Sequence, residues 1–275
     1  MWFESQSGHR LEALREEGLF CSIAAMRAAL IVNQVTGDLE TDLSTMEALA
    51  RRAGRGKADL ILFPEAAPTG LRNNDDPIHD LPIGDTIPGP ITERLSRIAR
   101  ETRAHIASGI LERAGDTLFD TSLILDPDGG IILKYRRISP GWHGAAAAPG
   151  IYLQGKRVES VKTPLGKLAV LICGDLFHEA IIEQVRQARP DYLLYSVAAS
   201  FDEGTFAQEL WHREAEPDYR RQAELAGCTT LMANLLEDPG LCKCPAYGGA
   251  TIFSPAGKVL QHLSIGKPGV LLADI

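Results

Sequence analysis

From Met26 onward, short apolar runs alternate with amphipathic stretches, and that alternation confines the chain to the α/β class. RAALIVNQV (27–35) reads as a strand and LSTMEALARRAG (43–54) as a helix that stops at Gly54. ADLILFPE (58–65) is a second strand ended by Pro64, and ITERLSRIARETRA (91–104) a helix with apolar residues at 91, 95 and 98. HIASGILER (105–113), FDTSLILDP (119–127) and IILKYRR (131–137) follow as strands, the last two joined across the turn signal DPDGG. A second hairpin is expected around Pro164-Leu165-Gly166, leading into the strand LAVLIC, then a helix in HEAIIEQVRQARP and a strand in DYLLYSVA (191–198). Residues 206–226 read as a charged helix broken near Pro217, CTTLMANL (228–235) as a strand, and the tail as a hairpin on Pro255-Ala256-Gly257 with a last strand, GVLLADI.

No repeat, linker or low-complexity segment interrupts this pattern, so residues 26–275 read as one α/β domain with mixed sheets covered by helices. Residues 1–25 carry no regular core pattern and read as an N-terminal extension, with Met26 a candidate natural start. A peptide from the native protein covering residues 1–25 would refute that start.

Charge and cysteine content narrow the partners. With 28 basic and 36 acidic residues the net charge is −8, which argues against nucleic acid. No apolar run reaches the ~18–20 residues a bilayer crossing needs, so no membrane partner is expected. The five cysteines (Cys21, Cys173, Cys228, Cys242 and Cys244) are odd in number and scattered, which points to a reducing cytoplasm rather than a disulfide framework. Cys242-Lys243-Cys244 is too tightly spaced for a structural zinc pair and has no second pair, so no metal is expected.

Three strand ends carry chemically useful side chains: Glu65 in LILFPEAAPTGL, Lys134 in IILKYRR and Cys173 in LAVLICGD. In α/β folds, sites gather beyond strand ends. Together a thiol, a carboxylate and an ammonium make a coherent acyl-transfer set. The thiol attacks, the carboxylate moves protons, and the ammonium with the Gly174 N–H receives an oxyanion. The break at Gly174-Asp175 reads as a helix start, which would favour the thiolate, with Asp175 as its cap. Taken singly, each has an ordinary reading as well: a solvated loop Glu, a surface Lys and a core Cys.

The combination resembles the nitrilase, or carbon–nitrogen hydrolase, superfamily. FPEAAPTGL, LKYRRI and ICGDLFHE fall in that family's order and similar spacing, and ASGILER, YLLYSVAAS, LMANL and YGGATIFSPAGKVL resemble its other strands. The likeness runs from about Met26 to Ile275. It implies a four-layer α-β-β-α sandwich and a triad of Glu65, Lys134 and Cys173. It also implies cofactor-free attack on a C–N bond through a thioester, and pairing into a homodimer or higher homo-oligomer.

The chain departs from the family in two places. The loop ISPGWHGAAAAPGIYLQG (138–155) contains no acidic residue where members commonly carry a second glutamate. Trp142 and His143 stand there instead, and His143 or Glu179 is expected to supply the missing pocket polarity. Beside the cysteine, Gly174 and His178-Glu179 replace commoner family residues. Trp142, His143, His178 and Ser200 are therefore candidate pocket residues, with Trp211 and His212 at the pocket mouth or in helix packing. Arg72 and Arg136 are candidate partners for a substrate carboxylate. His178 also admits a cysteine–histidine hydrolase, a weaker reading because proximity in sequence is not contact.

The expected function is hydrolysis of a small amide or carbamoyl compound, releasing ammonia or amine. Two other classes compete: a metabolite-binding protein that has lost turnover, and an acyltransferase using the same triad.

Overall fold

The computed structural model describes residues 26–201 and 206–275. The N-terminal extension expected over 1–25 lies outside them. The chain begins with β1 (Arg27–Val32), whose pleat sorts its side chains onto two faces. Ala28, Leu30 and Val32 face one hydrophobic cluster, and Ala29 and Ile31 face another. A strand buried on both faces must sit between two layers, and the rest of the fold supplies them.

After β1 come β2 (Gln34–Val35), α1 (Leu39–Arg55), β3 (Leu60–Leu62), the single turn α2 (Pro77–Asp80) and α3 (Pro90–Thr102). Asp38 starts α1 by accepting a hydrogen bond from the Thr41 N–H at 2.8 Å. Then β4 (His105–Ala114), β5 (Thr117–Leu125) and β6 (Ile131–Arg136) form an antiparallel meander. The second half runs β7 (Ser160–Thr163), β8 (Gly166–Ile172), a 3₁₀ turn over Cys173–Phe177, α4 (Glu179–Ala188) and β9 (Tyr192–Val197). It continues with a short helix α5 (Gln208–Leu210), a wide π turn (Trp211–Ala215) and α6 (Glu216–Ala226). Strands β10 (Thr229–Asn234), β11 (Leu236–Glu237), β12 (Ala250–Phe253), β13 (Val259–Leu263) and β14 (Gly269–Asp274) close the chain.

Two six-stranded sheets result, ordered β14-β1-β3-β4-β5-β6 and β13-β12-β10-β9-β8-β7. Their inner faces share one core that includes Leu30, Leu62, Tyr135, Val170, Leu194 and Leu231. Helices α1 and α3 cover the outer face of the first sheet through Met46, Ala50, Leu95 and Ile98. Helices α4 and α6 cover the second through Ile181, Val185, Ala223 and Ala226. The layers are therefore α-β-β-α, as the sequence implied.

Details differ from expectation where local chemistry intervenes. The strand expected over 58–65 pairs only from Leu60 to Leu62, because Pro64 cannot donate to a ladder and the chain turns away. The charged helix breaks at the π turn before Pro217, which sits in the first turn of α6. The two-residue strands β2 and β11 pair in parallel, a feature too short to carry any period in sequence.

Candidate active site

Glu65 lies three residues past β3, fully buried. Its backbone crosses directly over Gly109 of β4, where an added Cβ would stand 2.6 Å from Glu65 Cα and Ala66 N. Gly109 is thus required for that crossing, and hydrogen bonds from Gly109 N to Pro64 O (3.0 Å) and Ala67 N to Gly109 O (3.1 Å) fix it.

Cys173 follows β8 at φ +41°, a left-handed conformation that makes a sharp bend from strand into turn. The segment it opens is the five-residue 3₁₀ turn, and α4 begins only at Glu179. The expected thiol at an α-helix N-terminus is therefore corrected. Burial pushes the Cys173 thiol well above its usual range, and the nearby Glu65 charge raises it further. Arg137 and a hydrogen bond from the Ala198 N–H pull the other way without cancelling the rise. The resting group is a neutral thiol that needs a base.

The cation beside Glu65 and Cys173 is Arg137, and Lys134 is not there. Along β6 the pleat puts Leu133, Tyr135 and then Arg137 on the inter-sheet face, and Lys134 and Arg136 on the opposite face. There Lys134 Nζ donates to Glu112 Oε1 (2.8 Å) and Arg136 donates to both oxygens of the same carboxylate (2.7 and 2.8 Å). Burial alone would raise Glu112, but hydrogen bonds from Arg136, Lys134 and Thr121 hold it down at about 2. Lys134 is committed to that outer ion pair, so its expected place in the triad is corrected.

Arg137 is nearly inaccessible, with its side chain 5% exposed. Nη1 donates to Glu65 Oε1 at 2.9 Å and approaches Asp120 Oδ2 at 3.5 Å. Nε donates to Ser139 Oγ (3.0 Å) and Nη2 to the Pro140 carbonyl (3.3 Å). A guanidinium carries five N–H groups, so among the described residues one on Nη2 remains unassigned. Nη2 packs against Gly174, where a Cβ would fall 2.7 Å away. Burial would lower the Arg137 pKa, yet the charges of Glu65, Cys173, Asp120 and Asp175 outweigh it and secure the cation.

Asp175 does more than cap a turn. Fully buried, it accepts from the N–H groups of Ile172 (3.2 Å), Ile138 (3.1 Å) and Ser139 (2.7 Å) and from Tyr135 Oη (2.6 Å). It thereby ties the bend at Cys173 to the segment that follows Arg137. Tyr195 Oη donates to the Cys173 carbonyl at 2.6 Å. Beyond it, Tyr219 stacks on Trp211 at 5.5 Å, and Tyr247 lies near both Tyr219 and Cys173. Trp211 thus belongs to a buried aromatic wall.

The other expected pocket residues lie elsewhere. Trp142 is buried with Leu111, Leu118 and Tyr152. His143 is bound by Gln154 (2.8 Å) and faces the Gly144 carbonyl (2.9 Å). The acid-free loop is fastened against residues 73–80 by Asn73, which donates to the Trp142 carbonyl, and by Asp75, which accepts from the Gly144 N–H. His178 and Glu179 are exposed at the start of α4, and Ser200 is exposed in a backbone bridge to Ala246. His212 pairs with Glu216 at 2.6 Å. Arg72 donates to the Gly37 carbonyl, and Arg136 sits over the Phe119 ring. None of these contacts joins the Glu65–Arg137–Cys173 cluster. Among the described residues, no three His, Cys, Asp or Glu side chains gather as a metal-binding set.

A buried carboxylate, a buried guanidinium and a thiol on a strained bend thus lie together within an α-β-β-α sandwich. The family model for carbon–nitrogen hydrolase matches residues 23–275, and the chain belongs to that family of enzymes. It is 26% identical to an aliphatic nitrilase of Sinorhizobium fredii (strain HH103), covering 92% of this chain and 85% of that protein. It is 25% identical to the mouse (Mus musculus) omega-amidase NIT2, covering 92% and 89%. Among solved structures, a carbon–nitrogen hydrolase from Helicobacter pylori G27 superposes with a TM-score of 0.78 at 19% identity, covering 92% and 89% of the two chains. An amidase from Nesterenkonia sp. superposes at 0.71 and 20% identity, covering 94% and 93%.

Proposed function

We propose that the chain hydrolyses a C–N bond of a small amide or carbamoyl compound, with Cys173 as nucleophile, Glu65 as proton carrier and Arg137 as the fixed cation. The observation that carries this reading is the 2.9 Å pairing of Arg137 with Glu65 next to the bend that presents Cys173.

In the first step Glu65 takes the thiol proton as sulfur bonds to the substrate carbonyl carbon. The oxygen gains the negative charge and is received by the unassigned Nη2–H of Arg137 and the N–H of Gly174. Glu65 then delivers its proton to the nitrogen, the C–N bond breaks, and ammonia or amine leaves a thioester on Cys173. Water gives a proton to Glu65, attacks the thioester, and the thiol returns as the carboxylic product departs. Arg137 keeps its charge throughout, which suits a group that stabilises an anion and carries no proton.

Metabolite binding without turnover is the second reading. It is favoured by the guanidinium filling the space beside Gly174, where the resemblance implied the slimmer ammonium of a lysine. The test offers wild type and Cys173→Ala a panel of small amides, carbamoyl compounds and nitriles and measures ammonia. Release by wild type alone supports hydrolysis, and equal release by the variant refutes Cys173 as nucleophile. No release across the panel, with a metabolite retained through purification, supports binding.

A further inference from the structure

Asp120 is a buried acid that the hydrolytic steps above do not use. It lies on β5, 1% exposed, and its backbone carbonyl accepts the Arg137 backbone N–H at 2.8 Å, so the two residues are neighbours across the strand pair. Its carboxyl and that of Glu65 converge on the same nitrogen, Arg137 Nη1, at 3.5 and 2.9 Å. The other oxygen of each carboxyl, Glu65 Oε2 and Asp120 Oδ1, is buried and has no hydrogen-bond partner among the described residues. Two ionised carboxylates cannot satisfy one another, whereas one proton placed between them satisfies both.

The surrounding charges favour the same arrangement. Three carboxyls, Glu65, Asp120 and Asp175, face one cation, Arg137; Cys173 and the phenols of Tyr135, Tyr195 and Tyr219 lie around them, and the charge of Glu65 also acts on Glu237. Asp175 is already held by four donors, the N–H groups of Ile172, Ile138 and Ser139 and the Tyr135 hydroxyl. Arg137 sides with Glu65 (2.9 Å against 3.5 Å to Asp120), which leaves Asp120 as the acid. Burial raises Asp120 well above the carboxylate range, and the charge of Glu65 adds to that.

We propose that Asp120 is a positioning residue that holds a proton shared with Glu65, donating it to the Glu65 carboxylate so that Oε1 stays on Arg137 and the group stays aimed at Cys173. The inference rests on the hydrolase reading for its purpose. During turnover the pair cycles between one proton and two: it gains the thiol proton, passes one to the leaving nitrogen, then gains and returns a proton from water. Atoms and charges balance with no further reactant.

The test reads the proton directly, by infrared difference spectroscopy of the unliganded protein in the region of the protonated carboxyl C=O stretch. Wild type is expected to show a band at neutral pH that Asp120→Asn removes. Glu65→Gln is expected to remove it as well, because Asp120 then ionises against Arg137. Retention of the band in Glu65→Gln, or its absence from wild type, overturns the shared proton. If Asp120→Asn does not fold, the Glu65→Gln spectrum decides alone. In activity, Asp120→Asn is expected to lose about tenfold in kcat/KM, since an amide is a weaker donor to a carboxylate than an acid. The acid limb of its pH profile should move to higher pH as Glu65 becomes more basic. An unchanged profile overturns the positioning role. A band that behaves as expected in a protein that turns over no substrate supports the shared proton and overturns the hydrolase reading it serves.

Discussion

At the scale of single residues, the decisive distinction is between two basic side chains three positions apart. Lys134 and Arg137 lie in one strongly basic run, KYRR, and identity alone favours the lysine. Geometry favours the arginine: its guanidinium meets Glu65, Ser139 and Pro140 at once, while Lys134 is paired with Glu112 on the far face. Arg137→Lys cannot reproduce three directional contacts, and kcat/KM is expected to fall by about 10²-fold, the scale of losing a fixed oxyanion donor. Lys134→Ala should stay within about twofold of wild type, as for a surface change. The reverse order of the two losses, in a steady-state ammonia assay, would return the lysine to the site. The correct residue was legible in principle. Alternation along β6 places Tyr135 inward, and the next inward position is 137. Asp120 gave no such signal, because a carboxylate in mid-strand looks in sequence like an outward-facing one.

Elements act by holding those residues in register. The sharp bend at Cys173 and the segment after β6 come from different sheets, and Asp175 joins them through four hydrogen bonds. Asp175→Ala leaves three backbone N–H groups and one phenol unpaired in a buried site. It is expected to cost about 3 kcal/mol or more in urea unfolding, with Asp175→Asn costing less. A midpoint unchanged by Asp175→Ala would show that the tie does not matter. Element types were readable because periods of two and 3.6 run through long segments such as β4, β5, α1 and α3. The five-residue turn after Cys173 and the strands β2 and β11 were not, since neither spans enough residues to show a period.

For the whole molecule, the two sheets share a core, and each has helices on its outer face. Phe177 (44% exposed) and Leu225 (46%) stand beside and on the outer pair α4 and α6, and we propose that this layer meets a second copy. Light scattering in solution is then expected to give twice the 29.8 kDa chain mass, and a mass of one chain would refute the pairing. The alternation of apolar runs and amphipathic stretches made mixed sheets covered by helices legible, and the four-layer sandwich came from the family resemblance. The acid-free loop was harder to place: Trp142 and His143 are polar-tipped groups whose contacts fasten a loop at a distance from the site.

The hydrolase reading rests on a covalent bond forming at one sulfur. Glu65→Gln is expected to slow the removal of protons from thiol and water by at least about 10²-fold, and with a good amide substrate, whose acylation outruns hydrolysis, it should accumulate the thioester. Mass spectrometry of the quenched wild-type and Glu65→Gln proteins, followed by peptide mapping, measures it. The expected result is the acyl mass on the peptide holding Cys173 and none in Cys173→Ala. Ammonia release by wild type with the adduct on another residue, or undiminished release by Cys173→Ala, would contradict the assignment.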